Sequence, residues 1–163
     1  AAVQLGALAG ARVTATVRNP DARDAVAALG AETVAEPEGF EALGPFDVVL
    51  ELVGAPNLPA NLKALDTGGR IVVIGVGAGF KAELNLLALM GKRATVRGST
   101  LRPRPLEEKA LTARAVEREV LPALAAGRVR VPVADTFPLA EAEAAYDRFT
   151  GGGKLGKIVL LSG

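Results

Sequence analysis

The sequence predicts a doubly wound α/β fold on a parallel sheet, and three observations predict it. Apolar runs of strand length, roughly four to eight residues, alternate with helical patterns along most of the 163 residues. Those runs are apolar throughout rather than every second residue, as expected of strands covered on both faces by helices. Glycine punctuates the pattern: Gly30 and Gly127 stop helices and Gly54 follows a strand. Strand, helix, strand in repeated order implies parallel pairing through right-handed crossovers.

The elements follow in order. Ala1–Ala9 reads as the interior of a helix, with no capping residue before its apolar run, so the chain is expected to begin at a cut. Arg12–Val17 is a strand, Asp21–Leu29 a helix, and Thr33–Val34 a short strand. Phe46–Val53 (FDVVLELV) is a continuous apolar strand interrupted only by Glu51. The helix Leu58–Leu65 precedes the turn Asp66–Gly69 and the strand Arg70–Val76. Leu84–Met90 is a short helix, Ala94–Gly98 a final strand at the sheet edge, and Leu106–Ala126 a long helix. The tail holds Val131–Val133, the helix Leu139–Phe149, a triple-glycine loop and the strand Lys157–Leu161. It reads either as a last βαβ unit or as an element that docks on a second domain.

Composition narrows the function. Half the residues are hydrophobic and 23% are charged, with a net charge of +1. That is a globular composition without a basic stripe for nucleic acid. Histidine and cysteine are both absent, which removes disulfides, thiolate or imidazole metal sites, and Ser-His-Asp or Cys-His catalysis. No run approaches the roughly 18 apolar residues of a membrane span. A cysteine-free soluble chain is expected in the cytoplasm. No catalytic acid or base stands out, so chemistry is expected from a bound cofactor that the chain positions.

Ligands of such sheets lie at the carboxyl ends of the strands. After Arg12–Val17 there is no Asp or Glu to accept a ribose 2′-hydroxyl. Arg18 stands there instead, either to pair with a 2′-phosphate or as a solvated arginine at a strand end. Gly54, Gly75 and Gly77 lie at strand ends, where glycine permits close backbone approach to a flat ring or makes an ordinary turn. Glu51 reads either as an acid with a raised pKa or as a carboxylate meeting solvent or neighbouring backbone.

Taken together, AAVQLGALAGARVTATV, ALGAETV, FDVVLELVG, LKALDTGGRIVVIGV, ATVRGSTL, AGRVRVPVADTFPLAEAEAAYDRF and GKIVLL resemble the medium-chain dehydrogenase/reductase superfamily. The resemblance is to its zinc-free quinone oxidoreductase and enoyl reductase branch, and it runs essentially the whole length. It implies a Rossmann-like doubly wound parallel sheet lacking its first strand, because the glycine-rich loop and central strand lie before Ala1. Residues 1–130 are then a partial NAD(P)-binding domain. Residues 131–163 return towards a catalytic domain outside this chain. The resemblance carries cofactor contacts to Arg18 and Asn19, with Arg23 a helical turn further on, at the adenosine phosphate end. It also carries them to Leu52 and Val53, to Gly75, Val76 and Gly77, and to Ser99, Thr100 and Leu101. Two positions depart from the pattern: Ala22, often lysine in NADPH-using members, and Pro37, near a position that often holds an adenine-stacking tyrosine.

The resemblance implies an oxidoreductase that uses NADPH in preference to NADH. Hydride would pass to a quinone, enone or enoyl thioester. A variant is the enoyl reductase module of a fatty-acid or polyketide synthase. Readings from other classes are an S-adenosylmethionine-dependent methyltransferase, or a nucleotide-binding protein without turnover. The resemblance further implies a homodimer through the Ala94–Gly98 edge.

Overall fold

The computed structural model describes residues 1–162. It divides into two compact units, Ala1–Glu36 with Leu111–Gly163, and Pro37–Ala110. Every strand pairing described in either unit is parallel, in agreement with the expected α/β class. None of the described helices is long and apolar enough to cross a membrane.

The second unit has the clearer core. Strands β3 (Phe46–Glu51), β4 (Leu65–Val73) and β5 (Thr95–Gly98) form a sheet in the order β3-β4-β5. Helices α3 (Leu58–Ala64) and α4 (Leu86–Lys92) accompany them. Leu62, Leu65 and Ile71 are almost wholly buried, and Val49, Leu58, Val73, Ala88 and Leu89 pack around them. The strands therefore send alternate residues, Val49, Ile71 and Val73, to one covered face. Sequence predicted cover on both faces, but Val48 and Leu50 of β3 remain 44% and 39% exposed.

Boundaries differ from expectation where a local contact intervenes. The turn Asp66–Gly69 lies inside β4 as an irregularity, since Phe46 pairs with Leu65 but Val48 pairs with Arg70. Lys92 binds the carbonyls of Lys63 and Leu65 through its ammonium group, closing the carboxyl end of α3 with a cation. Helix α4 starts at Leu86 because the Asn85 side chain accepts from the Ala88 amide at 2.9 Å, an N-cap.

The first unit contains two separate two-stranded sheets. One pairs β1 (Thr14–Thr16) with β2 (Thr33–Ala35), and the other pairs β6 (Val133–Pro138) with β7 (Lys157–Leu161). Helices α1 (Ala2–Leu8) and α2 (Arg23–Ala27) belong to the first part. The Gln4 side chain makes two 2.8 Å hydrogen bonds with the backbone of Arg130, donating to its carbonyl and accepting from its amide. The expected helix over residues 106–126 is two helices, α5 (Leu106–Glu119) and α6 (Leu121–Ala125). Pro122 in the first turn of α6 has no N–H to continue α5. Helix α7 (Ala142–Thr150) connects β6 to β7, so the tail is a βαβ unit. Strand β6 continues to Pro138, well beyond the Val131–Val133 segment read from sequence. Its polar Asp135 is satisfied by Arg148 of α7 at 2.7 Å, a partner invisible in a local pattern.

Candidate cofactor site

The expected site residues fall into both units, and each group is held differently. In the first unit, Arg18, Asn19 and Arg23 follow the carboxyl end of β1. Arg18 is exposed. Asn19 caps a short 3₁₀ turn, accepting from the Asp21 amide at 3.1 Å, and its Nδ2 donates to the Gly153 carbonyl at 3.4 Å. This brings the triple-glycine loop to the end of β1. Arg23 donates through Nε to the Val17 carbonyl at 3.4 Å and through Nη2 to Glu36 at 2.9 Å. Its guanidinium is therefore engaged beside the carboxyl ends of β1 and β2. Lys154, next to the same glycine loop, lies over the Phe149 ring with its ammonium 4.2 Å from the centroid.

In the second unit the remaining expected residues gather at the carboxyl ends of three neighbouring strands. Leu52 and Val53 follow β3, Gly75 to Gly77 follow β4, and Ser99 to Leu101 follow β5. Backbone hydrogen bonds tie the loops together: Ala78 donates to Val53 at 2.9 Å, Ala55 to Gly79 at 2.9 Å, and Ser99 to Val73 at 2.9 Å. Arg104 fastens the third loop, donating to the Thr100 carbonyl at 2.7 Å and to Ser99 Oγ at 2.9 Å. Sequence reasoning passed over Arg104, because an arginine after a strand-end loop reads as a solvated charge.

Two glycines make this junction possible. Gly54 has φ +114 and ψ −140, a region that side chains avoid. A Cβ there would meet the Gly79 carbonyl and lie 2.8 Å from Val76 Cα. At Gly75 a Cβ would meet the Leu52 carbonyl and lie 3.0 Å from Leu52 Cα. The close approach expected of these strand-end glycines is thus an approach of loop to loop. Gly77 differs, with no atom within 4 Å of its Cβ position.

Glu51 closes β3 at 3% exposure. One carboxylate oxygen accepts from the amides of Val53 at 2.5 Å and Gly54 at 2.7 Å, and from Asn57 Nδ2 at 3.5 Å. The other accepts from Asn61 Nδ2 at 2.5 Å. Burial pushes the pKa up, but the bonds from Asn61, Gly54, Val53 and Asn57 outweigh it and hold the carboxyl below its ordinary value. The raised-pKa reading is therefore corrected: four donors stabilise the charged form. Asn61 itself is 2% exposed and was not legible as a site residue, because one asparagine in a helix carries no pattern.

The donor set fits a nucleotide better than a metal. Leu52, Val53, Val76 and Leu101 are 59%, 45%, 49% and 54% exposed. These apolar side chains are exposed at the strand-end loops, and Gly77 has open space at its Cβ position. Arg18 offers an exposed cation to a phosphate. A zinc ion, by contrast, finds neither imidazole nor thiolate in the chain. Among the described residues no cluster of three or more acidic side chains is placed to hold a metal.

Comparison with known proteins identifies the family. Residues 22–160 match the family model described as zinc-binding dehydrogenase. The chain is 32% identical over 116 residues to the quinone oxidoreductase of Mus musculus, a match spanning 71% of this chain and 33% of the mouse protein. It superposes with a TM-score of 0.82 and 38% identity on the quinone oxidoreductase of Thermus thermophilus, whose structures include a complex with NADPH. That superposition covers 99% of this chain and 53% of the other. A thermostable alcohol dehydrogenase from Pyrobaculum aerophilum, bound to cobalt and zinc, superposes with a TM-score of 0.80 and 29% identity, over 99% of this chain and 46% of that one. The chain thus spans about a third of the curated relative and about half of the solved structures. Parallel strands, loops gathered at their carboxyl ends and a family match over most of the length agree: the chain belongs to the zinc-binding dehydrogenase family of the medium-chain dehydrogenase/reductase superfamily, with a Rossmann-like nucleotide-binding fold.

Proposed function

We propose that the intact protein is a nicotinamide-dependent oxidoreductase that reduces a quinone, enone or enoyl thioester, using NADPH in preference to NADH. The observation that carries this reading is the gathering of three loops at the carboxyl ends of β3, β4 and β5, where doubly wound sheets take their ligands. Similarity to quinone oxidoreductases supports the acceptor class. When bound, the reduced nicotinamide supplies the hydride. This chain contributes binding and orientation: Arg18 attracts the 2′-phosphate, and Leu52, Val53, Val76 and Leu101 offer apolar surface to a ring. Asn19 holds the Gly153 loop beside β1. The methyltransferase reading loses its support with the dehydrogenase family match. The synthase-module reading uses the same residues and differs only in its tethered substrate.

The test is titration of the intact protein with NADPH and NADH, followed by NADPH oxidation with a benzoquinone and with an enoyl thioester. Tighter NADPH binding with turnover of either acceptor is the expected result. Absence of binding to both nucleotides overturns the reading.

We also infer two further associations of the intact protein. Residues 131–163 dock on its catalytic domain, an inference supported by the exposed apolar side chains Val131, Leu139, Tyr146 and Phe149. Strand β5 pairs with a second copy of itself, supported by its edge position and four exposed residues. Because the Ser99 amide donates to β4, alternation along the strand turns Val96 and Gly98 outward. Val96→Pro removes one outward donor and is expected to shift a dimer towards monomer in sedimentation. A dimer indifferent to that change excludes this edge as the interface.

A further inference from the structure

The main chain and the side chain of Glu51 hold different loops of the candidate site. Its carbonyl accepts from the amides of Ile74 at 2.9 Å and Gly75 at 3.2 Å, fixing the loop after β4. Its carboxylate accepts from the amides of Val53 and Gly54, fixing the loop after β3. Asn61, rooted in α3, grips the second carboxylate oxygen and so fixes the side chain from the core side. Among the described residues no arginine or lysine pairs with this carboxylate, so its charge is met by amide donors. An uncompensated buried charge is costly, and a neutral side chain would fill the same space more cheaply. What the charge adds is strength and direction in its bonds to backbone amides.

From this geometry we infer that Glu51 is a positioning residue for the nicotinamide half of the cofactor. It sets the shape of the loops after β3 and β4 without touching the ligand. This inference rests on the oxidoreductase reading above. A doubly wound sheet binds a dinucleotide as two mononucleotide halves. The family resemblance assigns Arg18, Asn19 and Arg23 to the adenosine half, and on the proposed reading the loops after β3 and β4, which carry Val53 and Gly75, take the nicotinamide half. The shape they present depends on Gly54, held at φ +114 by the bond from its own amide to Glu51. Asn57 reinforces the same loop through the Gly54 carbonyl, to which its amide donates at 3.1 Å.

The test uses the intact protein with Glu51→Gln, and Asn61→Ala as a second variant in case the first does not fold. Two ligands separate the halves: NADPH, which reaches both, and adenosine 2′,5′-bisphosphate, which reaches only the adenosine half. Replacing charge-assisted bonds by neutral ones in Glu51→Gln should raise the Kd for NADPH about five- to tenfold. The Kd for the bisphosphate should stay within about twofold. Asn61→Ala should act in the same direction with a smaller change. Amide hydrogen exchange in the ligand-free protein should quicken at Val53 and Gly54, while residues 14–17 keep their rates. Equal losses for both ligands mean a merely structural role and overturn the inference. Unchanged NADPH affinity, or unchanged exchange at Val53 and Gly54, overturns it as well. A wild-type protein that binds bisphosphate and NADPH with equal affinity removes the nicotinamide contact itself. A wild-type protein that binds neither ligand overturns the oxidoreductase reading, and exchange at Val53 and Gly54 then still decides whether Glu51 holds the loop.

Discussion

The two units hold their candidate residues by opposite means. In the first, side chains at the end of β1 bring charge: Arg18 is exposed, and Arg23 is engaged with Glu36 at 2.9 Å. In the second, the backbone sets the shape, with loops pressed together across Gly54 and Gly75 and fastened by the buried carboxylate of Glu51. Charge on a surface side chain is easily altered without disturbing the fold. Backbone shape at a buried junction is not, because a new atom there meets main chain that has nowhere to move. On the proposed reading, nucleotide preference is adjustable at Arg18 without disturbing the fold, while the shape of the loops after β3 and β4 is fixed by their buried junction.

The largest effect that would sharpen this contrast is expected from Gly54→Ala. Adopting φ +114 with a side chain costs roughly 1–3 kcal/mol, and the overlap with the Gly79 carbonyl and Val76 adds roughly 1–3 kcal/mol more. Urea denaturation of the variant should report that loss. A stability within about 0.5 kcal/mol of wild type would mean that the junction yields easily and that the contrast is false.

Next in size is Arg18→Ala. Removing a charge-assisted phosphate contact costs on the order of 1.5–3 kcal/mol, about ten- to a hundredfold in affinity. NADPH should weaken by that factor in calorimetry while NADH stays nearly unchanged and urea stability does not move. Equal losses for both nucleotides would show that Arg18 does not read the 2′-phosphate.

Glu51 gives a pH signature confined to the second unit. Its folded-state pKa lies below the unfolded value, so the stability it contributes is fully present above the ordinary glutamate range. That stability is lost as pH falls through the depressed folded value. One proton is involved, so the slope from this group is at most about 1.4 kcal/mol per pH unit. Glu51→Gln should flatten the acid limb of the stability curve, measured by denaturation at falling pH. An unchanged limb would assign acid lability to other carboxylates.

The smallest effect is expected from Arg23→Ala. Its partner Glu36 has a side chain 67% exposed, and such surface pairs contribute about 1 kcal/mol or less. A loss well above that in thermal or urea unfolding would mean that the first unit, too, relies on a rigid junction.

The sequence by itself determined the class of the fold, because apolar runs separated by helical periods carry their own period. Phe46–Glu51, Thr95–Gly98 and Lys157–Leu161 are legible for that reason. Arg18 stands out because it follows the predicted strand Arg12–Val17, and the loop positions because the family resemblance carries cofactor contacts to them. Tertiary structure decided what no local window contains. Asp135 makes β6 acceptable as a strand only because Arg148 returns from α7, and Gln4 is buried only because Arg130 presents its backbone. Glu51 is the sharpest case. Sequence offered a raised-pKa acid or a carboxylate at the sheet end, since burial and hydrogen bonding push its pKa in opposite directions. Which one wins depends on where the Val53 and Gly54 amides and the Asn61 side chain lie in space. A carboxylate's neighbours through the fold, rather than its neighbours in the chain, set its charge.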